Sequence, residues 1–318
     1  MTAIRGISQR PAGTGKPPRN QCAQTDFTVP QTTAQTTVLR PPTTLSPMQR
    51  IGPFLIIDHL GSGGYGQIYR GELLNGAEYA LKVVDSADQV ASGFLRHELR
   101  MSRGVSPHPN VVQYHGIGRY KGLECLATDL IEGENLLDLI ESRGKIDLPE
   151  ALSLFRNICY GLKHIHDAGI VHRDMKPGNV MVRFGSNGEV VILDFGIAVP
   201  FSQSQSRQLD RPLAQRTDLL GSPAYMSPEQ WGGRQLDERS DIFSLGVTLI
   251  EMLTGANPFA KHNLQQVLWS ICTEEPDEAI KDLHPDVRVF IQRMVAKNAN
   301  DRFRNVGKIL EVLDELGF

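Results

Sequence analysis

"LGSGGYGQIY", residues 60–69, sets Gly61, Gly63 and Gly66 in a G-x-G-x-x-G spacing, and the residues after the last glycine decide the fold. Glycines at this spacing that open a helix, with an acid about 20 residues further on, belong to a dinucleotide-binding sheet. Here Gln67 to Arg70 read as strand again, and "FLIIDHL" before the glycines reads as strand too. The stretch is a strand-turn-strand hairpin. Its glycines offer backbone N–H groups that phosphate oxygens can approach with no Cβ in the way. A plain Gly-rich turn explains the same residues, and only their surroundings separate the two.

Outward from the hairpin, "AEYALKVVD" (77–85) is a further β-rich piece, and "SGFLRHELRMSRG" (92–104) carries helical spacing. "HPNVVQYHGIGRY" (108–120) and "LECLATDLIEG" (123–133) read as two more strands. Helical periodicity then takes over in "LPEALSLFRNICYGLKHIHDAG", "SDIFSLGVTLIEMLTG", "NLQQVLWSIC", "PDVRVFIQRMVAKN" and "NVGKILEVLDELGF". Strands followed by helices predict an α+β fold in two lobes, joined near Glu132 to Asn135. Residues 1–50 hold ten Thr, seven Pro and a single acid, Asp26, in no apolar pattern, and are expected to form a disordered tail.

A net charge of -3 gives no general basic field for nucleic acid. Four scattered cysteines, Cys22, Cys125, Cys159 and Cys272, suggest neither a disulfide framework nor zinc. No apolar run reaches the ~18 residues of a membrane span and no apolar leader opens the sequence. A cytoplasmic protein with reduced thiols is expected.

Chemistry-bearing residues recur in order along the chain. Lys82 lies between apolar neighbours in "EYALKVV" and needs an anionic partner, for which Glu98 on the only helix of that lobe is the candidate. "VHRDMKPGNVM" (171–181) groups His172, Arg173, Asp174, Lys176 and Asn179, and "VVILDFGIA" ends an apolar strand on Asp194. Two carboxylates and an Asn beside turns supply oxygen ligands for Mg²⁺ and a group to orient a hydroxyl nucleophile. Taken singly these residues are ordinary turn formers. Together with the glycine loop and Lys82, in that order, they are not.

In these motifs the sequence resembles the eukaryotic-type protein kinase family over nearly all of residues 54–318, in the manner of its bacterial members. The resemblance implies a kinase domain at 51–318, with an N-lobe at 51–131, a hinge at about 129–135 and a C-lobe at 136–318. It implies ATP as phosphoryl donor, with Gly61, Ser62, Gly63, Gly64, Tyr65 and Gly66 over its phosphates, Lys82 on the α and β phosphates and Glu98 paired to Lys82. Ile68, Ala80, Thr128, Asp129 to Ile131 and Met181 would surround the adenine, with Thr128 as gatekeeper. Asp174 would orient the acceptor hydroxyl and take its proton, while Asn179 and Asp194 would hold Mg²⁺, with Mn²⁺ as an alternative. Lys176 resembles the serine/threonine class, so the partners implied are proteins with Ser or Thr acceptors, the enzyme itself included.

"GSPAYMSPEQ" looks like the element that receives the peptide, with Ser222 where Thr is usual and Ser227 where Ala is usual. Glu229 is expected to pair with Arg302, and Asp241 to anchor the catalytic-loop backbone. Three departures stand out. Ser102 replaces an apolar residue that links the N-lobe helix to Phe195, with Met101 as the alternative link. "GVSPHPN" is one residue longer than usual, and Gly178 removes an acidic reader of basic substrates. Arg173, a cation next to Asp174, is expected to bind a phosphate on the segment between Asp194 and Glu229, first at Thr217 and less at Ser202, Ser204 or Ser206. The competing reading is a pseudokinase scaffold, which predicts loss of at least one of Lys82, Glu98, Asp174, Asn179 and Asp194. All five are present.

Overall fold

A computed structural model describes residues 45–63, 66–185, 188–201 and 222–317. Its N-terminal lobe is a six-stranded antiparallel sheet in the order β1-β2-β3-β4-β6-β5. The strands are β1 (Arg50–Ile51), β2 (Phe54–Gly63), β3 (Gly66–Glu72), β4 (Glu78–Asp85), β5 (Tyr114–Tyr120) and β6 (Leu123–Asp129). Side chains alternate between the faces of a strand. In β4 this sends Leu81 and Val83 into one apolar cluster, with Tyr69, Cys125 and Ala127, and Val84 into the other. Lys82 shares the parity of Val84, so the strand period turns its ammonium toward α1 (Gln89–Ser102).

Asp88 caps α1 by accepting from the Val90 and Ala91 N–H groups. Ala91, Leu95, Glu98, Leu99 and Ser102 form its buried stripe, at the spacing of one helix face. Glu98 is thus carried into the interior by the same periodicity that buries its leucine neighbours.

The sheet takes in residues that the sequence reading placed in the tail. Leu45 is buried, its N–H donates to the Tyr69 hydroxyl at 3.0 Å, and Arg50 pairs with Leu55. Residues 45–50 therefore pack with the sheet instead of belonging to the expected tail, because Leu45 and Ile51 fill its second cluster. The rest of that tail lies outside the described residues.

The C-terminal lobe is helical, with α2 (Leu136–Arg143), α3 (Leu148–Asp167), α4 (Pro228–Trp231), α5 (Glu238–Thr254), α6 (Leu264–Thr273), α7 (Asp277–Ile280), α8 (Pro285–Met294) and α9 (Val306–Glu315). Every residue of α5 from Ser240 to Leu253 is buried, which makes it the central rod of the lobe. β7 (Gly133–Asn135), β9 (Val180–Arg183) and β10 (Val190–Ile192) form a small sheet in the order β10-β9-β7, and β8 (Ile170–Val171) pairs with β11 (Val199–Pro200). The β9–β10 register, Val180 opposite Ile192, carries the site. It brings Asn179, just before β9, beside Leu193, whose N–H donates to the Asn179 carbonyl at 2.8 Å. No helix among the described residues is long and apolar enough to cross a membrane.

Candidate active site

Lys82 bridges two carboxylates. Its Nζ lies 2.9 Å from Glu98 Oε2 and 3.1 Å from Asp194 Oδ2. The Tyr114 hydroxyl donates to the other Glu98 oxygen at 2.8 Å, so a buried carboxylate is held at both ends. Burial pulls the Lys82 ammonium down, but Asp194 and Glu98 together outweigh it and hold the amine well above its ordinary value. Glu98 goes the other way: burial first, then the nearby Asp194 charge, push it up to about 7 against the pull of Lys82. Burial also raises Asp194, yet Lys82 and the Gly196 N–H, donating to Oδ1 at 2.6 Å, leave it below its ordinary value. One ammonium serves two carboxylates, which is why the Glu98 carboxyl is raised while that of Asp194 is lowered.

Asp174 collects donors on both oxygens. Oδ2 accepts from Lys176 Nζ at 2.9 Å and Asn179 Nδ2 at 3.0 Å, and Oδ1 from the Ser222 N–H at 3.1 Å. Lys176 Nζ also reaches Ser222 Oγ at 2.6 Å. Ser222 thus meets Lys176 through its hydroxyl and Asp174 through its backbone N–H.

The backbone under Asp174 is held from α5. Asp241, fully buried, accepts from the His172 N–H at 2.8 Å, the Arg173 N–H at 2.7 Å and His166 Nε2 at 2.8 Å. Burial raises the Asp241 carboxyl, but these donors and the nearby imidazoles leave it below its ordinary value. They also hold Arg173 at φ +70°, and Asp194 stands at φ +56°, left-handed conformations that a non-glycine residue keeps only when its surroundings fix them. Glu229 and Arg302 pair in the interior with contacts of 2.7 and 3.0 Å, as expected.

The remaining predicted residues take these places. Gly61, Ser62, Gly63 and Gly66 form the β2–β3 hairpin over β4, while Gly64 and Tyr65 lie outside the described residues. A Cβ on Gly66 would stand 2.6 Å from the Val83 carbonyl oxygen, so only glycine lets β3 lie this close to β4. Across β3 and β4 Ile68 is opposite Lys82 and Ala80 is opposite Arg70, Ala80 is also opposite Thr128 in β6, Asp129 ends β6, and Met181 is in β9 opposite Asn135. Ile131 packs on the main core. Ser102 is buried and donates to the Leu99 carbonyl, leaving a cavity of about 10 Å³ walled by Ser102, Val112, Tyr114 and Phe195 where an apolar link was expected. Met101 is buried in the core cluster that contains Phe195. Thr217, Ser202, Ser204 and Ser206 lie outside the described residues.

Tyr114, His166 and Gln230 escaped the sequence reading. Each acts on a residue 16 or more positions away, and nothing in its local sequence marks the partner.

The protein kinase domain family matches residues 54–313. The chain belongs to the protein kinase domain family. Among curated relatives, this kinase domain is 33% identical over 274 residues to the serine/threonine-protein kinase pkn2 of Myxococcus xanthus, covering 82% of the chain and 32% of the relative. It is 29% identical over 256 residues to the serine/threonine-protein kinase PrkC of Bacillus subtilis, covering 79% and 38%. With the serine/threonine-protein kinase PknA of Mycobacterium tuberculosis it shares 30% over 263 residues, covering 80% and 59%. The chain thus spans between about a third and three fifths of the length of these relatives. Membership of the family implies use of ATP and a divalent metal.

Proposed function

We propose that this chain is an active serine/threonine protein kinase of cytoplasmic location, transferring the γ-phosphoryl group of ATP to Ser or Thr hydroxyls of proteins. The observation that carries the reading is the pair of linked clusters, Lys82 between Glu98 and Asp194, and Asp174 among Lys176, Asn179 and Ser222. Gly61 to Gly66 cover the phosphates and Lys82 meets the α and β oxygens. Ile68, Ala80, Thr128, Asp129 to Ile131 and Met181 enclose the adenine.

Asn179 and Asp194 would hold the metal, Mg²⁺ or Mn²⁺. Their donors are oxygens, which suits a hard cation, and the Asn179 amide spends its nitrogen on Asp174. When bound, the metal supplies neutralisation of phosphate charge. A carboxylate has about four acceptor positions. Asp174 accepts three hydrogen bonds from the described residues, which leaves a position for an acceptor hydroxyl, which it orients and whose proton it takes. Lys176, held against Asp174, meets negative charge on the phosphoryl group in flight.

Incubating the full chain with labelled ATP and myelin basic protein tests the reading. Wild type is expected to label itself and the acceptor, and Asp174→Asn to transfer about 10²–10⁴-fold more slowly. A wild type that transfers nothing supports the scaffold reading instead. An Asp174→Asn variant of undiminished rate removes the role given to Asp174. Mass spectrometry of the same samples, with Lys82→Met beside wild type, reads the proposed phosphosite at Thr217.

A further inference from the structure

Arg173 is left-handed at φ +70° and its carbonyl belongs to the peptide unit that leads into Asp174. A peptide unit is planar, so fixing its oxygen fixes the orientation of the following N–H and Cα. That oxygen accepts from Gln230 Nε2 at 3.0 Å. Gln230 is 2% exposed and lies on α4, at the far end of the segment that begins with Asp194.

The other end of the amide is equally committed. Gln230 Oε1 accepts from the Ser227 N–H at 3.0 Å and the Ser227 hydroxyl at 3.1 Å, and the pair forms a capping box at the start of α4. The amide has one workable orientation, because the Arg173 carbonyl only accepts and the Ser227 N–H only donates. Asp241 grips the Arg173 N–H from α5 while Gln230 grips its carbonyl from α4. The strained residue is thus clamped on both polar groups by two separate helices, and Asp174 is the next residue along.

We infer that Gln230 is a positioning residue for Asp174: its amide N–H sets the peptide plane from which the Asp174 carboxylate projects. The inference rests on the kinase reading and extends it. It also makes the docking of α4 and the aim of Asp174 one event, because a single side chain holds both.

Gln230→Glu in the full chain separates positioning from folding. Glutamate keeps the acceptor for Ser227, and only its protonated form can donate to the Arg173 carbonyl. Rates are measured with Mg·ATP and myelin basic protein from pH 6 to 8, with ATP affinity by calorimetry. At pH 8 kcat is expected to fall at least about tenfold with ATP affinity within about twofold of wild type. The ratio of variant to wild-type kcat is expected to rise as pH falls, as the carboxyl regains its proton. Gln230→Met, apolar and of similar length, is expected to show the kcat loss with no change of that ratio across pH. A Gln230→Glu or Gln230→Met protein with wild-type kcat at pH 8, or a flat ratio for Gln230→Glu, overturns the inference while leaving the kinase reading intact. Wild type that transfers no phosphoryl group overturns both.

Discussion

Glu98 shows what one residue gives up for its place. Its carboxyl is pushed up to about 7 by burial and by the Asp194 charge, although Lys82 stands 2.9 Å away. A carboxyl raised in the folded state stabilises the fold fully below its unfolded pKa and loses that contribution as pH rises through the folded one. Between about pH 4.5 and 7 wild type should therefore lose stability relative to Glu98→Gln, and the gap should stay constant above that range. Thermal melts of both proteins from pH 4 to 8 check this. A melting-point gap that stays constant from pH 4 to 8 would refute the elevated pKa. On the proposed function Glu98→Gln should also slow transfer, since Lys82 loses an anionic anchor. Asp194 presents the opposite case for mutation. It sits at φ +56°, and asparagine tolerates that conformation, so Asp194→Asn changes the charge with little change of backbone strain.

At the scale of elements, the clearest dependence is between α4 and the turn that carries Arg302. The guanidinium is wholly buried, contacts both Glu229 oxygens and also donates to the Arg239, Ala296 and Lys297 carbonyls. Burial raises the Glu229 carboxyl, but Arg302 outweighs it and keeps the group below its ordinary value. Arg302→Met leaves a buried unpaired carboxylate and should cost about 3–5 kcal/mol in urea unfolding. Glu229→Gln added to it should recover part of that loss, and a double variant no better than Arg302→Met would mean that the guanidinium acts through the three carbonyls alone. The same scale shows what was legible in the sequence. Helices with a strong apolar stripe, such as α1 and α3, and strands with clean alternation, such as β4, were readable because local periodicity encodes which face is buried. α2 and the two-residue strands β8 and β11 were not, because they are too short to show a period and exist through pairing with distant segments. Lys82, Asp174, Asn179 and Asp194 were legible from motif spacing. Gln230 and Tyr114 were not, since their partners are 57 and 16 residues away and only the folded chain brings them together.

For the whole molecule, the proposed ligand site joins the sheet to the helical lobe. Lys82 comes from β4, Glu98 from α1, and Asp194 from the turn after β10. Any ligand that binds this cluster in the folded chain, and not in the unfolded one, must stabilise the whole by mass action. At a concentration of Mg·ATP a hundredfold above Kd the gain is about 2.7 kcal/mol, or roughly 5 °C for a domain of this size. The metal's share can be separated from the nucleotide's. Asp194 is the carboxylate that keeps its charge, so removing that charge should abolish the increment that Mg²⁺ adds to ATP alone, while Lys82→Met should reduce the shift given by ATP in EDTA. Melting curves of wild type, Asp194→Asn and Lys82→Met, each without ATP, with ATP in EDTA and with ATP in Mg²⁺, give the ATP-only shift and the metal increment of every protein. An Asp194→Asn protein that retains the full metal increment would remove Asp194 from the metal site and leave the cation to Asn179 and other oxygens. Loss of the increment in Asp194→Asn alone, with the ATP-only shift lost in Lys82→Met alone, would assign the two charges of one ion pair to two different parts of the ligand.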